Sequence, residues 1–187
     1  MKKGFSKQLM VMLLAFMICG ISASALSMPS VSAATKKVTL IKGVKVPLPS
    51  GYTLFSNANG SSLMVSNATT SKDTAVIACI ASQNTSYQYI NITNAASKKL
   101  VKNSVKQNLS SNGVTVKKVA VKTIKTKAGK GLYLTGTAVK NGINMKMEGL
   151  YVIKKSKMLS VACIYTSGLK KNAKKAIKTI KNNMVMK

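Results

Sequence analysis

The sequence predicts an α+β domain: an antiparallel β-sheet of about six or seven strands with two main helices packed on it. Three observations carry this expectation. Two continuous apolar runs of strand length, 74–81 and 158–165, lack Pro and suit the interior of a sheet. Asn141-Gly142 stands between two further runs of strand character as the strongest two-residue hairpin signal in the chain. Two lysine-rich segments carry apolar residues at helical spacing, one before that hairpin and one after it.

Taken in order, β-branched and apolar runs at 38–41 and 44–48 read as the first strands, and Pro49-Ser50-Gly51-Tyr52 turns the chain after them. A second turn at 56–60 precedes a short strand at 62–65. The first helix is marked by Leu100, Val101, Val105 and Leu109 along one side, with Lys98, Lys99, Lys102 and Lys106 largely outside that stripe. Thr93 or Asn94 suits its start, where a side-chain oxygen accepts from an otherwise unpaired backbone N–H, and Asn112-Gly113 suits its end. Strands follow at 114–126, 132–140 and 143–153, with Gly129-Lys130-Gly131 reading as a turn. In the last of these strands, alternation puts Ile143, Met145, Met147, Tyr151 and Ile153 on a core face and Asn144, Lys146 and Glu148 on the other. Residues 154–157 turn the chain back into 158–165. The final helix begins near Ser167, which suits a cap, and runs toward Met184 with Leu169, Ala173, Ala176, Ile177, Ile180 and Met184 at helical spacing.

This order of elements, with Pro49-Ser50-Gly51-Tyr52 after the first strands and Gly131-Leu132-Tyr133-Leu134 opening the central meander, resembles the PsbP-like fold over roughly 38–184. That superfamily includes an extrinsic photosystem protein, a family of Ran-binding proteins and many exported bacterial proteins of unknown role, and its members are mostly not enzymes. No residue here carries over a photosystem or Ran-binding function. The resemblance therefore bears on the fold, and function has to be argued from the residues themselves.

Export is expected from the first residues. Lys2, Lys3 and Lys7 precede a run of about a dozen apolar residues, short of the roughly 20 needed to span a bilayer. Val31-Ser32-Ala33 offers small residues for cleavage after Ala33, with Ala25 the second choice. The expected organisation is a signal peptide at 1–33 and one lysine-rich domain at 34–187, placed outside the cytoplasm as a secreted, cell-wall or periplasmic protein.

Charge is the most informative feature. The chain has 30 Lys+Arg, all of them Lys, against 2 Asp+Glu and no His, a formal net charge of +28. Losing Lys2, Lys3 and Lys7 with the signal would lower that by only three. Without His, neither Ser-His-Asp nor Cys-His chemistry can be assembled, and Asp73 and Glu148 alone leave little for general acid-base work or hard-metal ligation. Ser167-Gly168-Leu169-Lys170 has Ser-x-x-Lys spacing, but the companion Ser-Asp-Asn and Lys-Thr-Gly motifs are missing. No catalytic residue, metal or cofactor is expected.

A lysine surface without interleaved acids attracts polyanions. Lysine is a point charge without arginine's planar fork, and aromatics are scarce, so backbone phosphates, sulfates or carboxylates suit it better than base edges. The expected partners are anionic polymers such as teichoic acid, acidic polysaccharide or extracellular DNA, or an anionic membrane surface, with no sequence-specific nucleic acid. The expected contact is the last helix, through Lys170, Lys171, Lys174, Lys175, Lys178 and Lys181. A second reading is a carrier that holds an apolar or lipid-like ligand between helix and sheet, near Met145, Met147 and Ile177. Cys79 and Cys163, both within Ala-Cys-Ile in apolar strands, form a disulfide if their strands are neighbours in register, and are otherwise two small buried residues.

Overall fold

The computed structural model describes residues 36–187, so the expected signal segment at 1–33 lies outside the described residues. Among the described residues, ten strands and two α-helices run in the order β1 (Lys37–Ile41), β2 (Val44–Pro47), β3 (Tyr52–Ala58), β4 (Ser61–Ser66), β5 (Ala75–Gln83), α1 (Ala95–Ser111), β6 (Thr115–Thr126), β7 (Gly129–Lys140), β8 (Ile143–Lys154), β9 (Lys157–Tyr165), α2 (Lys170–Asn183) and β10 (Val185–Met186). Short 3-10 turns occupy Thr85–Tyr89 and Ser167–Leu169. The α+β architecture is the expected one. Seven strands form one antiparallel sheet in the order β3-β4-β5-β9-β8-β7-β6.

The two apolar runs lie where continuous hydrophobicity requires. β5 and β9 pair along their full length at the middle of the sheet, from Ala75 opposite Tyr165 to Gln83 opposite Lys157. Both of their faces are covered. On one, Val101, Val105 and Leu109 of α1, with Tyr87 and Ile92 from the segment before it, share a core with Leu132, Leu134, Met147, Tyr151 and Ala162. On the other, Ala173, Ile177 and Ile180 of α2 join Ile77, Leu150, Val161 and Leu159.

That second face is also closed by a small sheet, β1-β2-β10, which places Val38, Leu40, Val44, Val46 and Met186 in the same core. The first two strands thus leave the main sheet and pair with the tail after α2, through Val185 opposite Lys45 and Met186 opposite Val44.

Local chemistry explains the boundaries. Asn94 Oδ1 accepts from Ser97 N at 2.7 Å and caps α1, so Asn94 rather than Thr93 takes that role. At the other end Gly113, at φ +70°, lets Gly113 N reach Ser110 O and Val114 N reach Leu109 O, which occupies the last carbonyls of the helix. Asn141 and Gly142 both have positive φ, 50° and 76°, as a tight hairpin turn between β7 and β8 demands.

Four local expectations are corrected. The segment 56–60 is mostly strand: β3 runs to Ala58 across a bulge between Leu54 and Ser56, and only the Asn59-Gly60 corner turns. Gly129 and Gly131 belong to β7, which begins three residues before the expected 132. Ser167 does not cap the last helix, because a 3-10 turn intervenes and α2 starts at Lys170. Glu148 does not face solvent, since coverage of both faces buries 147–152 without interruption.

Candidate functional site

α2 presents the expected lysine face. Ala173, Ala176, Ile177 and Ile180 are buried, which fixes the rotation of the helix and turns Lys170, Lys171, Lys174, Lys175 and Lys178 outward to exposed positions, with Lys181 half-buried. Lysines in a first turn oppose the positive end of the helix dipole. The structure answers this with Asp73, brought from the loop before β5: Thr166 Oγ1 donates to Asp73 Oδ1 at 2.6 Å and accepts from Thr74 N at 3.1 Å. The Asp73 carboxyl lies so close to Gly168 that a Cβ there would collide with it. One of the chain's two acids is thus committed to the start of α2.

The other is committed inside the sheet. Glu148 is 4% exposed on β8, on the α2 side, where Tyr165 Oη donates to Oε1 at 2.8 Å and Tyr133 Oη donates to Oε2. Tyr165 is buried, whereas Tyr133 is half-buried with Lys122 Nζ 5.6 Å from its ring centroid, a cation–π distance. Burial, followed by the hydrogen bond to Glu148 and the nearby negative groups, pushes both phenols well above their usual range. The arrangement gives each oxygen of a buried carboxyl a hydroxyl donor. The sequence signal was indirect: Tyr133, Glu148 and Tyr165 are far apart in the chain, and only the strand register unites them.

Cys79 and Cys163 are buried thiols, not a disulfide. Their strands are neighbours and their side chains share a face, as the expectation required, but the register sets Cys79 opposite Val161 and Cys163 opposite Ile77. Such a diagonal offset separates Cα atoms by about 7–8 Å, beyond the reach of a disulfide. Nor do Met145, Met147 and Ile177 line one pocket. Met145 and Met147 pack on the α1 side of the sheet and Ile177 on the α2 side, with the sheet between them. Among the described residues no cluster of three or more His, Cys, Asp or Glu comes together, and no described helix is long and apolar enough to cross a membrane.

The buried acids give the fold an alkaline limit. Burial pushes the Cys79 thiol from its ordinary 9.0 up to about 12, and raises the phenols of Tyr52, Tyr133, Tyr151 and Tyr165 above their ordinary 10.0. The folded state therefore holds these protons more tightly than the unfolded chain. Their contribution is complete below pH 9 to 10 and is lost as pH climbs through the folded-state values. In an alkaline titration the tyrosinate absorbance of these four residues should rise in one cooperative step, together with loss of circular dichroism. A gradual rise with the dichroism intact would contradict the burial.

No protein-family model matches the sequence, and no curated protein matches it. Comparison with solved structures defines its class through the arrangement just described, an antiparallel sheet covered by helices. The solution structure of the cyanobacterial PsbP protein CyanoP from Synechocystis superposes with a TM-score of 0.53 at 10% identity, over 86% of this chain and 98% of that chain. LpqN, involved in cell envelope biogenesis of Mycobacterium tuberculosis, superposes with a TM-score of 0.51 at 12% identity, over 77% of this chain and 83% of that one. The chain has the PsbP-like fold, as the order of its elements implied. At such identities the likeness is one of fold alone.

Proposed function

We propose that this is a non-catalytic exported binding protein whose lysine-rich surface associates with anionic polymers or envelope surfaces. The observation that carries the reading is the exposed lysine face of α2, pinned to the core behind it, in a chain with only two acidic side chains, Asp73 held by Thr166 just before the helix and Glu148 by tyrosines inside the sheet. A solvated face normally mixes both signs of charge; this one attracts polyanions over about a Debye length, ~8–10 Å at ordinary salt. Teichoic acid, acidic polysaccharide, extracellular DNA and anionic lipid headgroups share the chemistry it recognises. The fold shared with an envelope-biogenesis protein is in keeping with a place outside the cytoplasm.

The test is a salt titration of binding by the parent and by a variant with Lys170, Lys171, Lys174, Lys175, Lys178 and Lys181 all changed to Gln, which preserves helix propensity. If all six neutralise duplex phosphates, log affinity should fall against log salt with a slope of about −5, and the variant should lose most of that slope. Teichoic acid should behave similarly and a neutral glycan should not bind. Equal binding by both proteins would remove the assignment of this face.

A further inference from the structure

The α2-side face of the main sheet is not covered everywhere. β9 and the start of the core lie under α2 and the small sheet, but toward the β6 edge the same face opens. The strand register sets three rows across it. Lys118, Thr137 and Lys146 lead to Tyr165; Ala120 and Thr135 lead to Glu148; Lys122 and Tyr133 lead to Leu150. Lys118, Ala120 and Lys122 are exposed, and Tyr133, Thr135, Thr137 and Lys146 are half-buried. Small residues at Ala120 and Thr135 make the centre lower than its surroundings, and three lysines stand at its corners.

From this juxtaposition we propose that the basin over β6–β8 binds an acidic polysaccharide, a chain whose carboxylates are spaced along hydroxyl-bearing sugars. Spacing and composition favour that ligand over a phosphate polymer. Lys118 and Lys146 are two strands apart, about 10 Å, and Lys118 and Lys122 are four residues apart along one strand, about 13 Å. Duplex DNA presents a charge every ~1.7 Å of axis, far denser than three such widely set lysines can answer. Between the lysines lie the half-buried side chains of Thr135 and Thr137, whose hydroxyls suit sugar hydroxyls.

The inference rests on the anionic-polymer reading and narrows its ligand at a second surface, free of the six α2 lysines. The probes are hyaluronate, with a carboxylate on alternate sugars, duplex DNA and neutral dextran. Lys118→Gln/Lys122→Gln/Lys146→Gln should weaken hyaluronate binding about tenfold at low salt while changing DNA binding less than about threefold. The variant of all six α2 lysines should weaken DNA binding by far more than threefold. Lys118→Gln/Lys122→Gln, at two exposed positions, guards against a folding defect from half-buried Lys146, and Thr135→Val tests the hydroxyl without touching charge. The basin is refuted if its variants bind hyaluronate like the parent, if they lose DNA and hyaluronate equally, or if dextran binds as well as hyaluronate. Loss of every ligand through the α2 variant alone would leave the broader reading standing without the basin. Indifference of all ligands to both sets would remove the two together.

Discussion

Ile180→Ala should lower the free energy of unfolding by about 3 kcal/mol, within the 2–5 kcal/mol typical of truncating a large aliphatic side chain in a packed core. Ile180 is fully buried on α2, in the core that the helix shares with β9 and the small sheet. Neither backbone nor charge changes, so the loss reports packing. Urea unfolding should show a lower midpoint with the same slope, because the surface exposed on unfolding is hardly altered. A midpoint shift worth less than about 1 kcal/mol would mean that the α2 seam is loosely packed and that the helix is not held in the orientation that exposes its lysines.

Glu148→Ala should cost about as much, roughly 3 kcal/mol, for a different reason. It leaves a cavity and strands the buried hydroxyl of Tyr165, while the half-buried hydroxyl of Tyr133 can turn to water. Tyr165→Phe alone should cost about 1–3 kcal/mol, since one oxygen of a buried carboxyl then lacks its donor. Exchanging the group as a whole, Glu148→Leu with Tyr133→Phe and Tyr165→Phe, should be far milder than those single losses suggest. Satisfied buried polar groups add little net stability but are costly to leave half made. Chemical denaturation of the four proteins decides this: additive losses would show that the three side chains are not one unit.

Much of the fold could be read from the sequence because local and global preferences agree. The runs within β5 and β9 are apolar on both faces and lie where both faces are covered, and the stripes of α1 and α2 match the sides they bury. Asn94 and Asn141-Gly142 act through short-range geometry that sequence spacing captures.

The main misses come from strand pairing and its register, which no segment displays by itself. Ser56-Asn57-Ala58 has turn composition, yet it is a strand because β4 pairs with it. Glu148 has the polarity of a solvent-facing residue, yet Tyr133 and Tyr165 allow it to be buried. The sequence leaves open whether the strands of the two cysteines are neighbours; they are, but an offset of two residues cannot be seen without the register. The lysine face of α2 was legible from helical spacing, while the basin was not, because Lys118, Lys122 and Lys146 meet only through β7.

The strand order also sets when the molecule can close. β3-β4-β5 and β6-β7-β8-β9 are each runs of sequential hairpins, able to form by local contacts, and a single seam between β5 and β9 joins them. That seam brings together residues some seventy to ninety positions apart, and its second strand is made late in synthesis. Until 157–165 emerge, the two halves have no common core, and the entropy of closing so long a loop opposes any early union. The topology itself thus acts as a timer, holding back the common core until the strand at 157–165 has been made.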